Sequence, residues 1–145
     1  MYATRTATAA FSRNSTMPQA NLYARVGVET AIGAASPHEL VSMLFAGFAE
    51  AIAQAKGALQ TKQIEAKCKA IGRAARIVDE GLKASLDMNG GGALATDLAE
   101  LYAYVTMRLT HANLRNDAAA LDECLSLMQP LREAWASIAL QVNGR

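Results

Sequence analysis

From Ser36 onward, apolar residues return every three or four positions, the period of a helix with one buried face. In the stretch ASPHELVSMLFAGFAEAI, Ser36 stands as an N-cap and Pro37 suits a first helical position, whose N–H would lack a partner anyway. Glu39 completes a capping box. These signals predict a first helix over about 37–59. A second is predicted over about 63–86, with Ile64, Cys68, Ile71, Ala75, Val78, Leu82 and Leu86 on one stripe. It ends at DMNGGG, where Asn89 and three glycines can supply left-handed backbone. A third, over about 93–115, aligns Leu94, Leu98, Leu101, Tyr102, Val105, Leu109 and Ala112. Asn116 is placed to end it in a left-handed conformation, and Asp117 to cap a fourth helix over about 118–142. That last stripe runs through Leu121, Cys124, Leu125, Met128, Leu131, Trp135, Ile138 and Val142, and Pro130 inside it predicts a kink. Four helices of similar length with short breaks and no strand-like alternation predict an all-α, antiparallel four-helix bundle.

The first 21 residues follow another pattern. They are rich in Ala, Thr and Ser with scattered Arg, show no apolar period, and predict a disordered, flexible N-terminal arm ahead of one helical domain over 22–145. Their acid-free composition has something of an organellar transit peptide, but the amphipathic repeat of one is missing. Leu22, Tyr23, Val26, Val28 and Ile32 then bring spaced apolar positions interrupted by two glycines, so this segment is expected to lie along the domain surface.

Composition narrows the function classes. With 52% hydrophobic and 19% charged residues, 145 residues suffice for one soluble domain with a real core. Arg5, Arg13 and Arg25 are the only charges before Glu29, so the net charge of +1 leaves a near-neutral body and no charge-based case for a nucleic-acid partner. No apolar run reaches a membrane span, which argues against membrane insertion. Two distant cysteines without a secretory signal suggest a reduced, cytosolic protein.

Candidate chemistry is sparse. Cys68, Cys124, His38 and His111 lack the close pair spacing of a structural zinc site, and both cysteines fall on core stripes as packing residues. The chain has no Glu-x-x-His for a di-iron bundle, and Gly90–Gly92 are not followed by the Lys-Ser or Lys-Thr of a phosphate loop. No metal or cofactor is implied. His38 reads as a first-turn surface residue. His111, flanked by Arg108 and Arg115, is the one candidate for histidine phosphotransfer on a bundle, although Ala112, Asn113 and Leu114 replace the small residue and lysine expected after it. Lys62, Lys69, Arg73, Arg76 and Lys83 line one side of the second helix and read as a solvated face.

The positive signal is a surplus of apolar surface. On the first helix, Leu40, Val41, Met43, Leu44, Phe45, Phe48, Ala51, Ile52, Ala55 and Leu59 cover about 200° of arc, where a core stripe needs little more than about 100°. On the third, Tyr104, Met107, His111 and Leu114 recur at spacings of three and four away from the core stripe. Leu127 and Leu140 lie off the stripe of the fourth. Such a surplus suits grooves for an apolar partner, and Met and Phe adapt to varied side chains. A generic helical adaptor would also satisfy it.

Several segments in order resemble the FliS family of flagellar secretion chaperones. YARVGVET and ASPHELVSMLFAGF are similar to the family's Y-x-x-V-x-V-x-[ST] and A-S-P-x-x-L-x-x-M-L-[YF]-x-G. SLDMNGGG is similar to L-D-x-x-x-G-G, LYAYVTMRLTHANLRNDAAALDEC to L-Y-x-Y-x-x-x-x-L-x-x-A-N-x-x-N-D-x-x-x-L-x-E, and PLREAW to L-R-x-A-W. The likeness runs from about Tyr23 to Trp135. One departure is Ala46, where many members carry an acidic residue. The resemblance implies a non-catalytic bundle that binds the disordered C-terminal segment of flagellin, prevents premature polymerisation and presents it to the type III export gate. Laid over the surplus, it implies flagellin contacts at Met43, Phe45, Phe48, Ile52, Tyr104, Met107, His111 and Leu114, with Gly47 allowing close backbone approach. It further implies that Leu22, Tyr23 and Val26 cap a groove or dock on the gate.

Overall fold

The computed structural model describes residues 35–143, with side chains as far as Ile138. The expected arm and the segment holding Leu22, Tyr23 and Val26 lie outside the described residues. Within them the chain is all-α: α1 is Pro37–Gln60, α2 Ile64–Arg76, α3 Gly92–Arg115 and α4 Ala118–Asn143. α2 continues as a π-helical segment, Ile77–Lys83, which the sequence period did not foretell. α1 and α3 each pack against both α2 and α4, so the helices form a four-cornered bundle in chain order.

Cross-contacts fix the antiparallel directions. The start of α1 meets the far part of α4 where His38 stacks on Trp135, with ring centroids 4.4 Å apart. The start of α2 meets the end of α3 through Lys67, Asn113 and Asn116. Glu50 of α1 pairs with Arg73 of α2 at 3.2 Å. The tight turn between α3 and α4 sets Tyr104 and Arg108 opposite Glu123.

The helix ends follow from local chemistry. Ser36 Oγ accepts the Glu39 N–H at 3.1 Å and Glu39 Oε1 accepts the Ser36 N–H at 2.8 Å, the reciprocal capping box the sequence predicts. α1 closes with Lys62 in the left-handed region at φ 58°, while the Gln63 and Lys62 N–H groups reach back to Ala58 and Leu59 carbonyls. This is a Schellman motif with lysine where glycine is usual. Asn116 ends α3 at φ 52°, and Asp117 Oδ1 accepts the Ala120 N–H, both as predicted. In DMNGGG the expectation needs correcting. Asn89 is not left-handed; Asp87 Oδ1 instead accepts the Asn89 and Gly90 N–H groups, and only Gly92 takes positive φ, at 59°. α4 runs through Pro130 as one helix.

The core gathers Leu44, Phe48, Ile52, Ile77, Val78, Leu82, Tyr102, Leu109, Leu121 and Met128, all essentially solvent-free. Each contributes about 1.5–3 kcal/mol relative to exposure. Some stripe residues belong elsewhere. Ile64, Cys68 and Leu94 are exposed, and the Cys68 thiol donates to Asn113 Oδ1 of α3 at 3.4 Å. Beside Cys68, Lys67 turns inward instead and is 4% exposed. Cys124 is buried as expected, and burial pushes its thiol up to about 11. His38 is not a plain surface residue: its Nε2–H donates to the Trp135 carbonyl at 2.9 Å, and Trp135 Nε1–H returns a bond to the His38 carbonyl at 3.0 Å.

Candidate functional site

Where α3 turns Ala95, Leu98, Tyr102, Val105, Leu109 and Ala112 inward, its opposite side is left to solvent. There Tyr104, Met107 and Leu114 are 39%, 55% and 78% exposed. His111 lies on the same side, partly exposed. The spacing of three, four and three places all four along one face, about 15 Å from end to end at 1.5 Å per residue. Four of the eight residues singled out from the sequence are thereby brought together.

The four on α1 are not part of that face. Phe45, Phe48 and Ile52 are 3%, 1% and 0% exposed, and Met43 is half-buried against the core. The wide arc has a packing explanation. Phe45 and Ile52 lie on the same side of α1 as His38 and Lys56, which bind Trp135 and Asp122 of α4. Met43 lies on the side of Glu50, which pairs with α2. A bundle corner with two neighbours buries more than one narrow stripe, so the surplus on α1 is consumed inside the fold. Leu127 is likewise partly buried against the core, and the side chain of Leu140 lies outside the described residues.

A polar network runs along the edge of the α3 face toward α4. Glu123 Oε2 accepts the Tyr104 hydroxyl at 2.5 Å, and Oε1 accepts the Arg108 Nε–H at 2.7 Å. Those bonds, first the one from Tyr104, hold the Glu123 carboxyl below its usual range. The same contact raises the Tyr104 phenol. One turn on, His111 Nε2 lies 3.2 Å from Asp117 Oδ2. Asp117 is lowered chiefly by the Ala120 backbone N–H and then by His111. Glu123 closes the L-x-E end of the family pattern in the sequence, but that pattern gave it no part in this face. The two-residue break at Asn116–Asp117 was its signal, since so short a hairpin sets α4 against α3 in one register.

Among the described residues no three His, Cys, Asp or Glu side chains gather as metal ligands would, and no helix is long and apolar enough to cross a membrane. The arrangement is an exposed row of adaptable apolar side chains edged by charge.

Comparison with known proteins gives this face a context. The family described as "Flagellar protein FliS" matches residues 19–142. The flagellar secretion chaperone FliS of Salmonella typhimurium is 47% identical over 117 residues, 81% of this chain and 87% of that protein. FliSB of Pseudomonas aeruginosa is 39% identical over 81% of this chain and 92% of its own length, and FliS of Bacillus subtilis 28% identical over 74% and 78%. The chain belongs to the FliS family of flagellar secretion chaperones, which are not enzymes.

Proposed function

We propose that the protein binds the C-terminal segment of flagellin in the cytoplasm, keeps it from polymerising, and delivers it to the flagellar export gate. The observation carrying this reading is the outward row of Tyr104, Met107 and Leu114 on a chain of the secretion-chaperone family. A monomer rarely leaves three large apolar side chains in line along one helix without a partner to cover them. A filament subunit's terminal segment must bury apolar surface against its neighbours, so it supplies a matching stripe before assembly. Binding then orders a flexible chain, with the entropy cost typical of coupled folding.

Aspartate at Met107 should cut affinity for a synthetic peptide of flagellin's C-terminal segment about tenfold or more, the worth of burying one large apolar side chain. Calorimetry on the full chain measures this, and an unchanged affinity would reject the α3 face as the binding site. His111 joins the rim, its Nε2 beside Asp117. For Leu22, Tyr23 and Val26 we propose gate docking or groove capping. Deleting residues 1–26 should then alter flagellin binding or gate binding, and a deletion that changes neither overturns this role.

A further inference from the structure

The α3 face carries one residue whose chemistry its apolar neighbours do not share. Tyr104 is 39% exposed, yet its hydroxyl is engaged by a carboxylate of the next helix. Because the Cα of Tyr104 belongs to α3 and its hydroxyl ends on α4, the ring bridges the seam between the two helices. Glu123 is itself held, since its second oxygen accepts the Arg108 Nε–H. Arg108 is one turn beyond Tyr104 on α3, so both donors come from one helix and the acceptor from the other. The result is a fork with both oxygens used.

We propose that Glu123 is a positioning residue for partner binding: it fixes the Tyr104 ring over the α3/α4 seam as a pre-placed aromatic platform beside Met107. This inference rests on the reading that the α3 face binds the partner. An unanchored surface tyrosine samples several rotamers and must give them up on binding, whereas a tethered one has already done so. The tether also specifies the chemistry of the partner at this point. A hydroxyl proton committed to Glu123 is not offered to an incoming chain, so Tyr104 presents its ring face. The partner residue that lands there is therefore aliphatic or aromatic, not a hydrogen-bond acceptor.

The test uses the full chain, a synthetic peptide of flagellin's C-terminal segment, and calorimetry. Tyr104→Phe keeps the ring and the Glu123–Arg108 pair but removes the tether, and Glu123→Ala removes tether and pair together. Each should weaken binding roughly two- to fivefold, the scale of ordering one side chain. The double variant should be no weaker than Glu123→Ala alone, and Glu123→Gln, which keeps an acceptor oxygen, should recover most of the affinity. In a spectrophotometric titration, the phenol absorbance lost in Tyr104→Phe should titrate at lower pH once Glu123 is alanine. If Met107→Asp weakens binding while Tyr104→Phe and Glu123→Ala leave it unchanged, the face stands and the positioning role is wrong. If all three leave it unchanged, the binding face itself is misassigned and the proposal falls with it.

Discussion

Lys67 is a charge placed where a charge is costly, and its partners show why it stays. Its ammonium donates to the Asn113 carbonyl and to Asn116 Oδ1, both at 2.8 Å, at the end of α3 where carbonyls lack helical donors and the helix dipole favours a cation. Replacing Lys67 by Met keeps the apolar stem but leaves that carbonyl and amide oxygen without their donor. With hydrogen bonds to charged groups worth about 1.5–3 kcal/mol, the variant should lose about 2 kcal/mol in urea unfolding, and a loss below 0.5 kcal/mol, roughly the error of such a measurement, would show that water replaces the lysine. At this scale the sequence is a poor guide. Periodicity put Cys68 inward and left its neighbour Lys67 unremarked, whereas the helix end reverses them. It also read His38 as a surface residue, because a stack on Trp135 across 97 positions has no local signature.

Helix boundaries were legible wherever a side chain performs the capping. Ser36, Glu39, Asn116 and Asp117 each do what their chemistry predicts. Lys62 was not legible, since lysine carries no preference for the left-handed turn it occupies at φ 58°. A non-glycine residue there costs about 1–2 kcal/mol, and glycine's greater unfolded entropy returns about 0.5–1 kcal/mol of that. Lys62→Gly should therefore raise stability by roughly 0.5–1 kcal/mol, visible as a higher melting temperature. The π-helical segment was equally hidden, because the four-residue spacing of Val78, Leu82 and Leu86 suits an α-helical stripe as well as a wider turn. Within it, a Cβ on Gly81 would meet both methyl carbons of Leu44 at 3.0 Å, and Leu44 is completely buried. Alanine usually improves a helix over glycine by about 1 kcal/mol. Here overpacking of about 1–3 kcal/mol should outweigh that gain, so Gly81→Ala is expected to lower the melting temperature. A rise would mean that Leu44 has room to shift.

For the whole molecule, the bundle could be read from four stripes and three short breaks, but the use of each stripe could not. Only the assembled bundle decides that α1 buries a wide arc while α3, with the same two neighbours, leaves part of its own outside. The same assembled state sets how stability responds to pH. Glu39, Asp117 and Glu123 titrate lower in the folded chain than in the unfolded one, because the Ser36 N–H, the Ala120 N–H and the Tyr104 hydroxyl hold their charged forms. As pH falls, the unfolded chain takes up these protons first. The contribution is therefore present above the ordinary carboxylate range, near 4, and is lost as pH falls through the folded values. Tyr102 and Tyr104 shift the other way, the first raised by burial and the second by its bond to Glu123. Their contribution is present below about pH 10, where an unfolded tyrosine starts to ionise, and is lost as pH rises toward the folded values. The urea midpoint should thus hold a plateau between about pH 5 and 9 and fall on both sides. Tyr102 dominates the alkaline side, since its hydroxyl is fully buried and finds no hydrogen-bond partner. Tyr102→Phe removes both the ionisation and the unpaired hydroxyl, so it should cost nothing at neutral pH and flatten the alkaline limb. Asp117→Asn with Glu123→Gln should flatten the acid limb and, because the Glu123 charge helps raise the Tyr104 phenol, also trim that residue's smaller share of the alkaline one. An alkaline limb unchanged in Tyr102→Phe would mean that another group, and not the buried phenol, opens the bundle at high pH.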